Sequence, residues 1–379
     1  MFAYQKTGRY FAQIADGLEE AGAGELESLG ASDIKTTFRG IYFSGGHDVL
    51  YRVNYMTRLA TRVLAPLLTF DCHSDRYLYK TARKMAWDEI LSLDTTFAID
   101  ANTVNSRIRH SKFAAQRLKD AIVDGFREEL GSRPDVEVRD PDVRLNLFIR
   151  NNKATISLDT SGGSLHRRGY RASTVEAPMQ ETVAAAIILF AGWNGEKPLY
   201  DPMCGSGTLL CEACMHYCSI PAGHLRERFG FERLPDFDGS LWKRVREDCD
   251  SGIRSLPRGL ISGSDSSREA VDAALENCGL LPGGGMIPLE VRSFRSIPSL
   301  ENTVIVCNPP YGVRMKGEEG PATLLGDLGR FLAGRCSGSE AYIYLGRESL
   351  LKHIGLRPSW KRPVRTGGLR GCLAKFEIR

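Results

Sequence analysis

The sequence predicts an α/β protein: a parallel sheet with helices on both faces, closed by an antiparallel hairpin and preceded by two smaller α+β units. Three observations predict it. Five short apolar segments, at 199–200, 259–265, 285–291, 303–307 and 341–346, alternate with helical spacing, as in a sheet buried on both faces. Two runs near the end, 362–366 and 372–378, flank a Gly-rich connection and read as a hairpin. The chain before residue 166 also alternates strands and helices, but holds no Gly-rich ligand loop.

Taken in order, residues 9–15 read as a strand. Asp16 precedes Glu19 by capping-box spacing, opening a helix that ends near Leu29 with Gly30 as its stop. Residues 34–43 resemble a hairpin broken at Gly40, and 47–60 have the apolar spacing of a helix. This gives a first α+β unit, 1–60. The second unit, 61–165, predicts a strand at 63–68, a helix at 74–86, a strand at 97–100 and a long helix over Ser111–Leu130. Strands at 145–150 and 154–159 then flank Asn151 and Asn152, residues that tolerate the positive φ of a tight hairpin turn. The third unit, 166–379, begins after the Gly162-Gly163 break and carries the parallel sheet, with an insertion rich in charge and aromatics at 220–255.

A length of 379 residues exceeds what one core usually fills, which agrees with several units. With 42% hydrophobic and 25% charged residues and no biased repeat, the chain is globular rather than disordered. The net charge of +4 permits a polyanionic partner without requiring one. Basic residues gather at Arg107, Arg109, His110, Lys112, Arg117 and Lys119, at His166, Arg167, Arg168 and Arg171, and at Lys361, Arg362, Arg365 and Arg370. Each cluster is read either as a solvated face or as a set of phosphate contacts. Residues 1–10 lack the apolar core of a signal peptide, and the longest apolar run, 183–193, is too short to span a bilayer. The expectation is a cytoplasmic protein without a membrane partner. Ten cysteines lacking the dense spacing of a secreted scaffold read as reduced thiols.

Three segments carry chemistry. Asp201-Pro202-Met203-Cys204-Gly205-Ser206-Gly207-Thr208 lies between a strand and a helix, where two glycines admit a ligand and the helix start offers free N–H groups to a carboxylate. A dinucleotide fingerprint needs a third glycine at position 210, which is Leu, so the turn suits the amino-acid end of S-adenosylmethionine better than a pyrophosphate. Taken alone, a structural turn is the other reading; Cys204 fits there by size. Asp265 ends the next strand, where a carboxylate can accept from both ribose hydroxyls, and Ser266 precedes Glu269 by capping-box spacing. Taken alone, Asp265 reads equally as support for the helix start. Asn308-Pro309-Pro310-Tyr311 follows an apolar strand. The prolines remove N–H groups and leave carbonyl acceptors beside the Asn308 amide oxygen, a set that can take both hydrogens of an exocyclic amine. Tyr311 can stack on a target base, and a rigid proline turn is the alternative. Cys211, Cys214 and Cys218 share a helix face, but no matching ligand cluster follows, so no metal is expected.

With these residues in hand, the chain resembles, along nearly its whole length, the THUMP-domain RNA methyltransferases, in particular the N-terminal half of the bacterial enzyme that makes N2-methylguanosine in 23S ribosomal RNA. The resemblance rests on Ser161–Tyr170 with its Leu165-His166-Arg167-Arg168-Gly169-Tyr170 stretch, on Ala177-Pro178-Met179-Gln180-Glu181-Thr182, on 201–208 and on 308–311. It implies a ferredoxin-like N-terminal unit, a THUMP domain that grips RNA and in the family begins as early as residue 47, and a Rossmann-like class I methyltransferase domain. It implies S-adenosylmethionine as cofactor, with Glu181 and Thr182 near its methionine end. Guanosine N2 of ribosomal RNA is the implied acceptor. Arg109, Lys112, Arg117, Lys119, Arg167, Arg168 and Arg171 are the candidate RNA contacts.

Two departures stand out. Relatives carry an Asp after the third strand for the adenine amine, and the matching position is Ser293, between Arg292 and Phe294, so adenine recognition is expected to differ. The sequence ends at Arg379, so the second methyltransferase of the fused enzymes is expected to be absent. The rival readings are a transfer-RNA guanine-N2 enzyme, a DNA or protein amide methyltransferase, and a non-catalytic RNA-binding assembly factor. The partly basic first 165 residues favour structured RNA over DNA or protein, and the intact Asp201, Gly205, Gly207, Asp265 and Asn308 favour catalysis.

Overall fold

A computed structural model describes residues 1–173, 179–310, 320–366 and 369–379, with backbone only at 365–366 and 369–370. Strands β1 (Arg9–Ile14), β2 (Ser32–Thr37), β3 (Gly40–Ser44), β4 (Ala60–Asp71), β5 (Thr96–Val104), β6 (Asp135–Val136), β7 (Val143–Arg150) and β8 (Lys153–Asp159) form one eight-stranded sheet in the order 2-3-1-4-8-7-5-6. β4 is its seam: one edge pairs with β1 and the other with β8. The two α+β units therefore share a sheet. Val63, Ala65 and Leu67 of β4 are buried, and Pro66, which has no N–H to donate, sits where the β4–β8 register shifts.

Local expectations shift here for physical reasons. The helix begins at Glu19, not at Asp16: the Glu19 carboxylate accepts from the N–H groups of Gly17 (2.8 Å) and Arg39 (2.9 Å) instead of closing a capping box. The β2–β3 turn is carried by Arg39 at φ 59°, while Gly40 opens β3. A Cβ on Gly40 would come within 2.1 Å of the Phe11 ring, so the glycine serves packing. The next helix, His47–Met56, stops short of residue 60 because Glu25 draws the chain outward, accepting from Thr57 Oγ1 at 2.6 Å and from the Arg58 N–H at 2.7 Å.

The second sheet holds β9 (Leu199–Asp201), β10 (Ile261–Asp265), β11 (Leu289–Val291), β12 (Val304–Cys307), β13 (Glu340–Leu345), β14 (Trp360–Thr366) and β15 (Leu369–Glu377) in the order 11-10-9-12-13-15-14. β9 to β13 are parallel, and β15 runs antiparallel between β13 and β14. All four residues of β12 are buried, as a central strand covered on both faces requires. The chain reverses direction across the sheet between β9 and β12, leaving a crevice beyond their carboxyl ends.

The insertion at 220–255 ties the sheets together. Phe231 approaches Tyr51 at 4.5 Å between ring centroids, and Trp242 approaches Tyr55 at 5.3 Å. Such pairs each add about 0.5–1.5 kcal/mol beyond their burial. Among the described residues no helix is long and apolar enough to cross a membrane.

Candidate active site

The crevice holds a cavity of about 360 Å³, a size that suits a small-molecule ligand. Asp201, Cys204, Gly205, Ser206, Thr208, Asp265, Ser266, Ser293, Asn308 and Pro310 all line it, so residues far apart in sequence meet in one place. Tyr311 lies outside the described residues, as do Ala177 and Pro178.

β9 delivers the chain into the bend. Gly205 and Gly207 take φ 52° and 80°, and Cys204 donates its N–H to the Ser264 carbonyl at 3.0 Å, which lays the bend against β10. A Cβ on Gly207 would meet Ala274 at 3.1 Å, and its left-handed φ already disfavours a side chain. The helix Thr208–Tyr217 starts there with no side-chain cap, so its first N–H groups face the cavity end unclaimed by a cap. Burial holds the Cys204 thiol well above its usual range, which removes it as a thiolate.

Asp265 braces the bend. One of its oxygens accepts from the Gly205 N–H at 3.0 Å and the other from the Ser267 N–H at 2.9 Å. Ser267, rather than Ser266, caps the following helix, accepting from the Ala270 N–H at 3.3 Å; Ser266 is left lining the cavity. Asp201 is 1% exposed, and burial pushes its carboxyl far above the usual range against one opposing hydrogen bond from the Met203 N–H. Neither Asp201 nor Asp265 has an ion-pair partner among the described residues. Ser293 lines the same cavity and caps a short turn, accepting from the Arg295 N–H. The Asn308 amide oxygen is buried and has no hydrogen-bond partner among the described residues. An unpaired buried acceptor is costly, which makes this atom a candidate to receive a ligand hydrogen.

These observations fit S-adenosylmethionine. The uncapped helix start matches its carboxylate, its cationic ammonium and sulfonium would favour the ionised form of Asp201 that burial opposes, and Asp265 can face a ribose.

Glu181, Thr182, Gly207 and Pro309 do not themselves line the cavity; Gly207 shapes the bend beside it, Pro309 adjoins Asn308, and Glu181 reaches the bend through Arg171. The Arg171 guanidinium pairs with Glu181 at 2.9 Å and donates to Thr208 Oγ1 at 3.2 Å, to Ser206 Oγ at 3.4 Å and to the Met179 carbonyl at 3.1 Å. Arg171 is therefore a strut of the glycine bend, not a free phosphate contact. Arg168 is a second correction: 1% exposed, it pairs with the buried Glu212 at 3.3 Å and donates to the Leu165 carbonyl at 2.8 Å, out of reach of any phosphate. Arg117 and Lys119 are tied to Asp75 and Asp120, whereas Arg109, Lys112 and Arg167 are exposed and make no ion pair among the described residues. Sequence reasoning passed over Asn277, 1% exposed, which donates to the Ser206 carbonyl at 2.9 Å and accepts from the Ala172 N–H at 2.9 Å, stapling residues 172–173 to the bend. A polar side chain on the apolar face beside Ala273 and Ala274 was its signal.

Comparison with known proteins agrees with this architecture. The RlmL ferredoxin-like domain matches residues 9–64, the THUMP domain 73–159, and the RMKL-like methyltransferase domain 168–375. A Synechocystis protein carrying an RNA-methyltransferase name is 40% identical over 99% of this chain and 98% of its own length. The ribosomal RNA large subunit methyltransferase K/L of Syntrophotalea carbinolica is 38% identical over 98% of this chain, which spans only 53% of that longer protein. A crystal structure of a methyltransferase complexed with SAH superposes with a TM-score of 0.85 at 27% identity, over 98% of each chain. The chain belongs to the RMKL-like methyltransferase family, with its methyltransferase domain preceded by RlmL-type ferredoxin-like and THUMP domains.

Proposed function

We propose that this chain transfers a methyl group from S-adenosylmethionine to the exocyclic N2 amine of a guanosine in RNA, with ribosomal RNA ahead of transfer RNA. The observation that carries the reading is the orphaned, buried Asn308 amide oxygen in the same cavity as the Gly205–Gly207 bend. The THUMP match and the names of the 40% and 38% identical relatives support RNA, and the latter name favours the large ribosomal subunit.

The bend and the uncapped helix start hold the carboxylate of the cofactor, Asp201 offsets its charge, and Asp265 accepts from its ribose. Bound S-adenosylmethionine supplies an electrophilic methyl on a sulfonium. Asn308 Oδ1 accepts one N–H hydrogen of the target amine and a carbonyl of the Asn308-Pro309-Pro310 turn accepts the other. That grip turns the nitrogen lone pair out of conjugation and aims it along one line, so orientation supplies much of the rate. Pro309 and Pro310 present no N–H to compete for those acceptors.

Asn308→Ala tests this directly. The variant should bind SAH as the parent does by calorimetry, yet lose transfer to ribosomal RNA by about a thousandfold, the scale of removing one oriented polar group. Unchanged turnover removes Asn308 from the chemistry, and a modified nucleoside other than N2-methylguanosine by mass spectrometry removes the acceptor assignment.

A further inference from the structure

The helix Thr208–Tyr217, whose start faces the cofactor cavity, is gripped from outside its own sheet. Arg58, just ahead of β4, donates through Nη2 to the carbonyls of Met215 and Ile220, each at 2.8 Å. Met215 lies in the last turn of that helix, where a cation complements the helix dipole. Arg58 is itself held by the first unit: its N–H donates at 2.7 Å to Glu25, on the helix Glu19–Ser28.

Glu212, one turn in from Thr208, carries the second grip. It is fully buried, and its Oε1 accepts from Tyr170 Oη at 3.0 Å and from Arg168 Nε at 3.3 Å. Arg168 also donates through Nη2 to the Arg58 carbonyl, which joins the two grips. Burial lowers the Arg58 pKa, and the Glu212 charge opposes that shift. Yet Glu212 Oε2 and Arg58 Nη1 are buried and make no hydrogen bond among the described residues.

Buried charges with two polar atoms left over are a poor source of stability, since apolar side chains of similar volume hold two units together as well or better. What charge-assisted hydrogen bonds add is direction. The bonds here converge on one helix, at a carbonyl of its last turn and at a side chain midway along it. Its other end meets the cavity through Thr208. We propose that Arg58 and Glu212 are positioning residues for the cofactor: they set the axis of the helix Thr208–Tyr217 and so aim its start at the cofactor carboxylate. The first α+β unit is thereby part of the cofactor site, though none of its residues lines the cavity. The inference rests on the reading above that this helix start holds that carboxylate.

The test measures, by calorimetry on the full chain, the binding of SAH and of methylthioadenosine, which shares the nucleoside but lacks the amino-acid arm. Arg58→Met should weaken SAH about tenfold, the scale of misdirecting one charge-assisted hydrogen bond, and leave methylthioadenosine within about twofold. Arg58→Lys keeps a cation facing the same carbonyls and should bring SAH affinity to within about threefold of the parent. Tyr170→Phe removes one hydroxyl from Glu212 and should weaken SAH about threefold with the same selectivity, which keeps the test decisive should Arg58→Met fail to fold. Equal losses for both ligands, a lysine no better than methionine, or parental SAH affinity in Arg58→Met and Tyr170→Phe overturns the positioning role. A parent that binds the two ligands equally overturns the carboxylate reading itself.

Discussion

The Asp265 carboxylate accepts the Gly205 N–H at 3.0 Å, so the acid ending β10 holds the bend that follows β9. The bend is braced from a neighbouring strand, and its shape does not depend on its own residues alone. Asp265→Asn keeps the size but replaces one accepting oxygen by a donor. SAH affinity measured by calorimetry should fall about 10- to 100-fold, the range for charge-assisted hydrogen bonds, with little change in Tm. Parental affinity would show that Asp265 supports only the helix start.

Gly207 is equally constrained. Gly207→Ala places a methyl against Ala274 at a φ that L residues avoid, and should lower stability by about 1–3 kcal/mol in urea melts and weaken SAH binding. A variant as stable as the parent would mean that the bend can relax.

The Arg171–Glu181 pair predicts non-additivity. With side chains 18% and 6% exposed, Arg171→Met leaves a buried acid uncompensated and should cost about 3–5 kcal/mol, while the Arg171→Met/Glu181→Gln double variant should lose less than that single change. A double-mutant cycle by chemical denaturation checks it; strict additivity would dismiss the strut.

His166 sets a pH dependence. Burial, then the nearby Arg167, Arg168, Arg171 and Arg226, lower its pKa to about 4. Below the ordinary histidine pKa the unfolded chain takes up a proton that the folded chain refuses, so stability falls as pH drops from the ordinary value toward 4. His166→Gln should flatten that part of the urea-midpoint profile between pH 6.5 and 4. An identical slope in both proteins would assign the acid sensitivity elsewhere.

Much of the catalytic sheet was legible because its cues are local. A strand, a Gly-Ser-Gly turn and a helix follow one another without interruption at 199–217, and Val304-Ile305-Val306-Cys307 is apolar enough to announce a strand buried on both faces. Helix ends were less legible, since Glu25 and Glu19 settle them with side chains from elsewhere in the fold.

By itself, the sequence determined where the strands alternate with helices and which residues could bend around a ligand, because backbone preference and apolar periodicity act over a few neighbouring residues. Only the tertiary structure decided that β4 fuses two units into one sheet, that Arg168 is buried against Glu212, and that Arg171 serves the glycine bend. A long charged side chain reads the same in a sequence whether it ends in water or against a buried acid. What packs over it is set by residues far along the chain.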